Sequence, residues 1–116
     1  MNSRIKIFVS NRLDVNSVQI PNDIFYPVNC GAVFGDGSSN IQGDNTGDNI
    51  SNMRDKLGEF TVQYWAWKNI NLDYYGLCHY RRYLSFSGHV YKHASYRQMC
   101  QEAFLEKKSI SKYGLD

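Results

Sequence analysis

The sequence predicts an α/β domain in which helices flank a parallel β-sheet. Residues Arg4–Ser10 (RIKIFVS) form a near-continuous apolar run, and a helix rich in aromatic residues ends at about Asn69. Tyr74–Cys78 (YYGLC) follows as another apolar strand after a short turn. This strand–helix–strand order is typical of α/β folds, and 116 residues with 42% hydrophobic side chains suit one domain at most.

The first strand carries polar residues at its carboxyl end. Lys6 is the one interruption in the apolar run, which predicts a strand buried on both faces of the sheet. Ser10, Asn11 and Arg12 end the run. They either form a simple turn, which the strand alone favours, or contact the base or ribose of a ligand.

The stretch after this strand has no clear period. Pro21 and Pro27 break Asp14–Asn29 into extended pieces. Tyr26–Phe34 predicts a short strand, or a strand and a turn around Gly31. Gly35–Gly47 has the composition of a flexible loop.

Aspartate and asparagine are dense in Asp44–Ser51 (DNTGDNIS). Neither Asp36 nor Asp44 has a glycine at the sixth position, so an EF-hand is excluded. Asp44 and Asp48 could share a cation or bind sugar hydroxyls. They could equally cap turns and the next helix.

The helix that follows begins at about Arg54 or Lys56 and carries two tryptophans close together. One stripe of its surface is aromatic and aliphatic, with Trp65 on a neighbouring face; the stripe is Leu57, Phe60, Tyr64 and Trp67. Either one tryptophan faces the core while the other lines a cleft, or the rings serve packing alone. Glu59, in the first turn, suits the helix dipole or a ligand hydrogen bond.

A burst of polar and aromatic residues, His79–Tyr83 (HYRRY), follows the second apolar strand. Ligands of open α/β sheets bind beyond the carboxyl ends of the strands, so we expect the burst to form part of a site. Arg81 and Arg82 alternate across a strand, which lets one of them meet a phosphate. Surface ion pairs are the alternative.

Other features narrow the class of protein. A net charge of +2 is too small to predict duplex nucleic-acid binding, and three cysteines without CxxC spacing predict neither a disulfide framework nor a zinc site. The start lacks a secretory signal, which favours a reducing cytosol, and no apolar run approaches the roughly 18 residues of a membrane span. His89 and His93 have helical metal-ligand spacing without the acidic residue of HExxH. Ser95–Lys108 predicts an amphipathic helix.

Four segments, in order, resemble a known family. They are IKIFVS, DNTGDNIS, the ExTxxYWAWKN run and DYYGLCHYRRYLSF. Together they resemble the bacterial glycosyltransferase family of capsular polysaccharide, exopolysaccharide and lipopolysaccharide loci, long catalogued as a domain of unknown function. The resemblance covers about Ile5 to Phe86 and corresponds to the amino-terminal, donor-binding portion of that family's domain.

The resemblance implies a GT-A-like (Rossmann-like) nucleotide-sugar-binding sheet with flanking helices. It places Val9, Ser10 and Asn11 near a uridine-type base. It implies catalytic roles for His79, Arg81 and Arg82. Further donor-binding positions implied by the family's loop, helix and burst are Asp44, Asp48, Asn49, Glu59, Trp65 and Tyr80.

The resemblance also implies a ligand, an acceptor and a location. The donor would be a nucleotide-diphosphate sugar, UDP-linked, and the acceptor a glycan or lipid-linked glycan of the cell surface. The chain would act in the cytoplasm, at the inner face of the membrane, in peripheral contact with membrane-bound biosynthesis proteins. Many GT-A enzymes hold a divalent metal with Asp-x-Asp where this chain has HYRRY. Arg81 or Arg82 could neutralise the diphosphate instead, which leaves dependence on manganese or magnesium open.

Three functions remain in competition. The first is a glycosyltransferase or its donor-binding half. The second is a non-catalytic nucleotide-sugar or glycan-binding remnant of a truncated gene. The third is a small RNA- or single-strand-binding domain that stacks bases on Tyr80 and Tyr83, although the modest net charge makes nucleic acid an unexpected partner.

Overall fold

The protein contains one four-stranded, fully parallel sheet with helices packed against it. A computed structural model describes residues 4–14 and 23–81. The strand order is β3-β2-β1-β4, which places β1 in the centre. The strands are β1 (Ile5–Asn11), β2 (Phe25–Asn29), β3 (Gln42–Gly43) and β4 (Tyr74–His79). The predicted α/β class is confirmed.

The central strand β1 is buried on both faces. Phe8 and Ser10 lie on one face and Ile7 and Val9 on the other, and all four are at most 8% exposed. Neighbouring strands pair with β1 on both sides, so its polar backbone is satisfied and its apolar run meets core. The prediction for this strand is confirmed.

The second strand tolerates a proline within its length. Pro27 pairs in register with Val9 of β1, and β3 begins only opposite Val28. Backbone bonds from Ile7 to the Ile24 carbonyl and from Cys30 to the Asn11 carbonyl set the parallel pattern. In that pattern the nitrogen of Pro27 points away from β1, toward a position that β3 does not reach. The missing N–H therefore removes no hydrogen bond from the sheet.

The predicted single helix is two helices, α1 (Arg54–Leu57) and α2 (Phe60–Asn69). Gly58 adopts φ 55° and ψ −134°, a conformation open to glycine, and this ends α1. Glu59 consequently stands at the N-cap of α2 and not inside a first turn. Two 3₁₀ turns, Ala32–Phe34 and Ser51–Met53, precede the helices.

The face of α2 that meets the sheet differs from the predicted stripe. Leu57, Phe60 and Trp67 are 39%, 59% and 60% exposed, whereas Trp65 is 3% exposed. The break at Gly58 separates Leu57 from the register of α2, and Trp65 packs against the rings of Phe8 and Tyr26 on the sheet. The core cluster consists of Phe8, Val28, Cys30, Val62, Trp65 and Ala66.

Two further predictions are corrected. The loop predicted at Gly35–Gly47 contains β3, whose two residues pair with Val28 and Asn29 of β2. The strand predicted as buried, β4, is exposed at its start, because it pairs with β1 alone among the described strands. Tyr74 is 60% exposed, and burial increases toward the carboxyl end, where Cys78 lies.

Several predictions lie outside the described residues. They concern Arg82, Tyr83, the His89 and His93 pair, and the helix at Ser95–Lys108. Within 4–14 and 23–81, neither helix has the length and apolar character needed to cross a bilayer.

Candidate functional site

The carboxyl ends of the strands form one edge of the sheet. The backbone N–H of Tyr80 donates to the Ser10 carbonyl at 3.0 Å, and that of Cys30 donates to the Asn11 carbonyl at 2.9 Å. In register, Asn11 lies beside Asn29 and Ser10 beside His79. Polar side chains from three strands are thereby aligned at the edge where α/β folds bind ligands.

A cleft of about 450 Å³ opens at this edge, between the strand ends and the turn that joins α1 to α2. Its size lies within the range of small-molecule sites. We call it the strand-end cleft. The residues that line it are Ser10, Asn11, Arg12, Leu13, Asp14, Cys30, Arg54, Gly58, Glu59 and His79.

Four of the predicted site residues meet in the strand-end cleft. Ser10 and Asn11 end β1, His79 ends β4, and Glu59 reaches the cleft from the N-cap of α2. Three separate segments of the sequence supply them: the parallel register places His79 beside Ser10, and α2 brings Glu59 to the same cleft. Val9, predicted to lie near the base, is 1% exposed and does not line the cleft.

Of the described residues that end or follow β4, His79 lines the cleft, whereas Tyr80 and Arg81 do not. Nδ1 of His79 accepts the backbone N–H of Arg81 at 3.2 Å, so a neutral ring carries its proton on Nε2. Tyr80 is 2% exposed and its ring lies 4.3 Å, centroid to centroid, from that of His79. The guanidinium of exposed Arg81 lies 5.5 Å from the centroid of the Tyr80 ring.

An ion pair lies at one side of the cleft. Nε and Nη2 of Arg12 donate to the two carboxylate oxygens of Asp14 at 2.9 and 2.6 Å. This bidentate pairing lowers the pKa of Asp14 and raises the pKa of Arg12. Since Asp14 already compensates Arg12, this arginine adds little net positive charge.

Arg54 is the other cation of the cleft, and the sequence interpretation missed it. Its side chain crosses Gly31 so closely that a Cβ on that glycine would lie 2.2 Å from Arg54 Cδ. Its guanidinium lies 4.6 Å from the centroid of the Phe34 ring. A single arginine that opens a short helix carries no distinctive signal, because its contacts with Gly31 and Phe34 join residues more than 19 positions apart.

The loop rich in aspartate has a different role, centred on buried Asp44. The Asp44 carboxylate accepts hydrogen bonds from the backbone N–H groups of Gly31 at 3.0 Å and Ala32 at 2.9 Å. It also accepts the hydroxyls of Ser51 and Thr61, each at 2.6 Å. Four donors therefore surround a side chain with no exposed surface. Such a carboxylate stabilises the fold because it satisfies these four donors in the protein interior.

The rest of the loop is bound to α2 by side chains. Trp65 Nε1 donates to Thr46 at 2.9 Å, and the Tyr64 hydroxyl donates to Asp48 at 2.9 Å. Asn69 accepts the Asp48 N–H at 3.2 Å and donates to the Asp48 carbonyl at 2.8 Å. We call the bonded unit of Asp44–Ser51 and α2 the loop–helix lock.

Four residues predicted to bind the donor belong to this lock. Asp44, Asp48 and Trp65 make the contacts above, and Asn49 donates to the Gly47 carbonyl and accepts the Ser51 N–H. None of the four lines the strand-end cleft. Their density of polar side chains reflects internal hydrogen bonding, which the sequence does not distinguish from ligand binding.

Two buried thiols lie near the strand ends: Cys30 lines the cleft and Cys78 belongs to β4. Burial raises the pKa of Cys78 to about 12, and burial is also the main cause that raises the pKa of Cys30. Cys30 Sγ lies 3.3 Å from the Gly58 carbonyl and 3.4 Å from the Thr61 hydroxyl. Protonated thiols of this kind are weak nucleophiles and weak metal ligands.

Metal ligands do not converge in the part of the chain that the structure describes. No three His, Cys, Asp or Glu side chains there come together in a possible metal site. In the cleft, Asp14 accepts hydrogen bonds from Arg12, and Glu59 comes from the N-cap of α2.

A second cleft of about 490 Å³ adjoins the first and shares Leu13 and Asp14 with it. It is formed largely by the loop between Gly35 and Ser39. Asp36 stabilises that loop by accepting the Ser38 N–H at 2.9 Å and the Ser38 hydroxyl at 2.6 Å. The two clefts thus form adjacent sites along the sheet edge.

We compared the chain with known proteins. No curated protein matches the chain. A solved structure titled WbbM bifunctional glycosyltransferase, in its apo form, matches with 39% sequence identity and a TM-score of 0.68. The match covers 76% of this chain and 15% of that one, so the chain spans a small part of the length of that protein. This likeness shows a glycosyltransferase-like fold.

A family profile matches residues 6–113, which is most of the chain. The family is described as a domain of unknown function (DUF4422). Because the profile covers far more than half of the chain, the chain belongs to this family.

Proposed function

We propose that the chain binds the nucleotide-diphosphate sugar donor of a glycosyltransferase in the strand-end cleft. The observation that carries the proposal is the convergence of Ser10, Asn11, Glu59 and His79 on one cleft. That cleft lies at the carboxyl edge of a parallel sheet, the usual ligand site of such folds. The likeness to a solved glycosyltransferase supports this class of ligand.

The chemistry of the cleft suits each part of such a donor. Ser10 and Asn11 line the cleft but are only 4% and 2% exposed, so a uracil-type base could contact only the small part of each that faces the cleft. Exposed Glu59 can accept hydrogen bonds from sugar hydroxyls. A proton on Nε2 of His79 could be donated to a phosphate oxygen. Arginine at this edge would stabilise the negative charge that develops on the diphosphate as the sugar leaves.

A divalent metal is not assigned a step in this proposal. The described carboxylates of the cleft do not converge on one point. Manganese and magnesium are therefore variables of the test, and the arginines supply the positive charge in our account.

The acceptor and location follow only from the resemblance. We propose a surface polysaccharide or lipopolysaccharide glycan as the acceptor, reached at the inner face of the membrane. Transfer of labelled sugar to a lipid-linked glycan would test the acceptor. Recovery of the chain with membranes only when the glycan-assembly proteins are present would test the location.

The donor proposal is tested by thermal unfolding of the chain with UDP, UDP-sugars, ADP and GDP, each with and without manganese. A ligand that binds the folded state raises the unfolding midpoint as its concentration rises. We expect UDP and a UDP-sugar to raise it more than ADP or GDP.

One variant in the strand-end cleft and one in the adjoining loop provide the control. Asn11→Ala should abolish the UDP shift, whereas Asp36→Ala, at an exposed aspartate of the adjoining loop, should retain it. A cooperative transition that no nucleotide moves would refute the donor proposal. Binding of the donor without sugar transfer would favour the non-catalytic alternative. Binding of oligonucleotides that falls steeply with salt would favour the RNA- or single-strand-binding domain.

A further inference from the structure

The arginines near the strand-end cleft differ in how far they are already engaged. Arg12 gives both sides of its guanidinium to Asp14, at 2.9 and 2.6 Å. Arg81 lies over the Tyr80 ring and does not line the cleft. Arg54 lines the cleft and has no bidentate partner. It is therefore the cation best able to engage an anionic ligand there.

The position of Arg54 is fixed before any ligand arrives. Its aliphatic part lies against the Cα of Gly31, where no side chain intervenes. Its Cζ is 4.6 Å from the centre of the Phe34 ring, within the range of a cation–π contact. Because these contacts restrict the rotamers of Arg54, a ligand would lose less conformational entropy when it binds this guanidinium.

The charge of Arg54 is only weakly compensated. Nε and Nη2 both lie 3.4 Å from one oxygen of Asp55, whose side chain is 78% exposed. Long, solvated pairs of this kind contribute little. The field of Arg54 also reaches into the cleft: the hydrogen bond from Arg12 is the main cause that lowers the pKa of Asp14, and the charge of Arg54 lowers it further.

We propose that Arg54 binds the diphosphate of the nucleotide donor. The inference rests on the proposed donor site and deepens it by naming the residue that recognises the anionic part of the ligand. The planar guanidinium can donate two parallel hydrogen bonds to phosphate oxygens. In this account Arg54 supplies the diphosphate contact that the sequence analysis assigned to the arginines of the HYRRY burst.

The test compares two ligands on two arginine variants. Arg54→Gln removes the charge in the cleft. Arg4→Gln removes the same charge from the residue before β1, at the opposite edge of the sheet, where Arg4 contacts Asp73. Affinities for UDP and for uridine would be measured by calorimetric titration. Uridine presents the same base and ribose without the diphosphate.

We expect Arg54→Gln to weaken UDP binding about 10- to 100-fold and uridine binding less than about twofold. Arg4→Gln should leave both affinities unchanged. Arg54→Lys keeps the charge without the two-pronged geometry and should cause an intermediate loss. Arg54→Lys also provides the test of Arg54 if the Arg54→Gln variant fails to fold.

The outcomes separate this inference from the donor proposal. If the unaltered chain binds UDP and Arg54→Gln or Arg54→Lys binds it equally well, the role of Arg54 is refuted while the donor site stands. An equal loss of UDP and uridine would likewise refute it, since the effect would then be structural. If the unaltered chain binds neither ligand, both proposals fail.

Discussion

The loop–helix lock and the strand-end cleft are both rich in polar residues, yet they are built in opposite ways. In the lock, Asp44 is fully buried and accepts four hydrogen bonds. In the cleft, Glu59 and Arg54 face solvent, and Arg54 has only a weak partner. A saturated polar group stabilises the fold, whereas a pre-positioned group with spare hydrogen-bonding capacity can bind a ligand.

The comparison predicts the largest loss of stability at the centre of the lock. Asp44→Ala leaves four buried donors without their acceptor, so we expect the free energy of unfolding to fall by at least about 4 kcal/mol. Urea unfolding followed by circular dichroism measures this. Asp36→Ala, at an exposed aspartate whose two hydrogen bonds both come from Ser38 in the same loop, should lower it by only about 1 kcal/mol. Similar values for the two variants would contradict the structural role of Asp44.

The close approach of Asn69 to the loop gives a second, smaller effect. Gly47 has φ 56°, and an added Cβ would lie 2.0 Å from Oδ1 of Asn69. Gly37 has φ 78° with open space around it. We expect Gly47→Ala to cost about 3 kcal/mol and Gly37→Ala about 1 kcal/mol, because both strain the backbone and only the first creates a clash. Equal losses of unfolding free energy for the two variants in urea would mean that Asn69 does not pack closely against Gly47.

The buried thiol of Cys78 predicts how the stability of the folded protein depends on pH. The pKa of Cys78 is raised from 9.0 to about 12, so the folded state holds its proton where the unfolded state loses it. The stability due to this group is complete below pH 9 and is lost as pH rises toward 12. In a Cys30→Ala, Cys100→Ser background, alkylation of Cys78 at pH 9 should be on the order of several hundredfold slower in the folded than in the unfolded chain.

Rapid alkylation of the folded chain would show that the strand ends open frequently. A chain with Cys78→Ala as well should lose less stability between pH 9 and 12 than the chain that retains this cysteine. The difference between the two curves removes the contribution of tyrosines and lysines that titrate in the same range.

The smallest effect on stability is expected in the cleft. Glu59→Gln should change the free energy of unfolding by less than about 0.5 kcal/mol, because the side chain is exposed and makes no hydrogen bond as an N-cap. The same variant should weaken binding of a UDP-sugar several-fold more than binding of UDP, if Glu59 meets the sugar. Equal effects on the two ligands would remove Glu59 from the sugar site.

Much of the fold was predictable because it depends on local patterns. The apolar run of β1 and the polar ends of β1 and β4 are visible in the sequence, and the parallel register follows from the α/β class. The exposed stripe of α2 was mispredicted since Phe60 and Trp67 are as apolar as core residues. Only the break at Gly58 and the packing of Trp65 decide which face is buried.

The candidate site was predictable in part, for a related reason. Ser10, Asn11 and His79 were predicted to lie together because they stand at strand ends, and the structure places them in one cleft with Glu59, which was named from its place on the helix. Asp44 was placed at the ligand by the resemblance, whereas the structure places it in the lock, because the sequence does not distinguish a carboxylate with four donors from a free one. Arg54 was missed because its position depends on contacts with residues distant along the chain.

The loop–helix lock has a consequence for the order in which the protein folds. The side-chain hydrogen bonds between its loop and its helix join residues 16 to 21 positions apart, as between Tyr64 and Asp48, or Asn69 and Asp48. Pairing of β1 with β4 brings together Arg4 and Asp73, 69 positions apart. Because short loops close at a lower entropic cost, the lock can assemble while the ends of the sheet are still separate. Residues 44–69 would then present Trp65 as a preformed surface on which β1 and β4 complete the sheet.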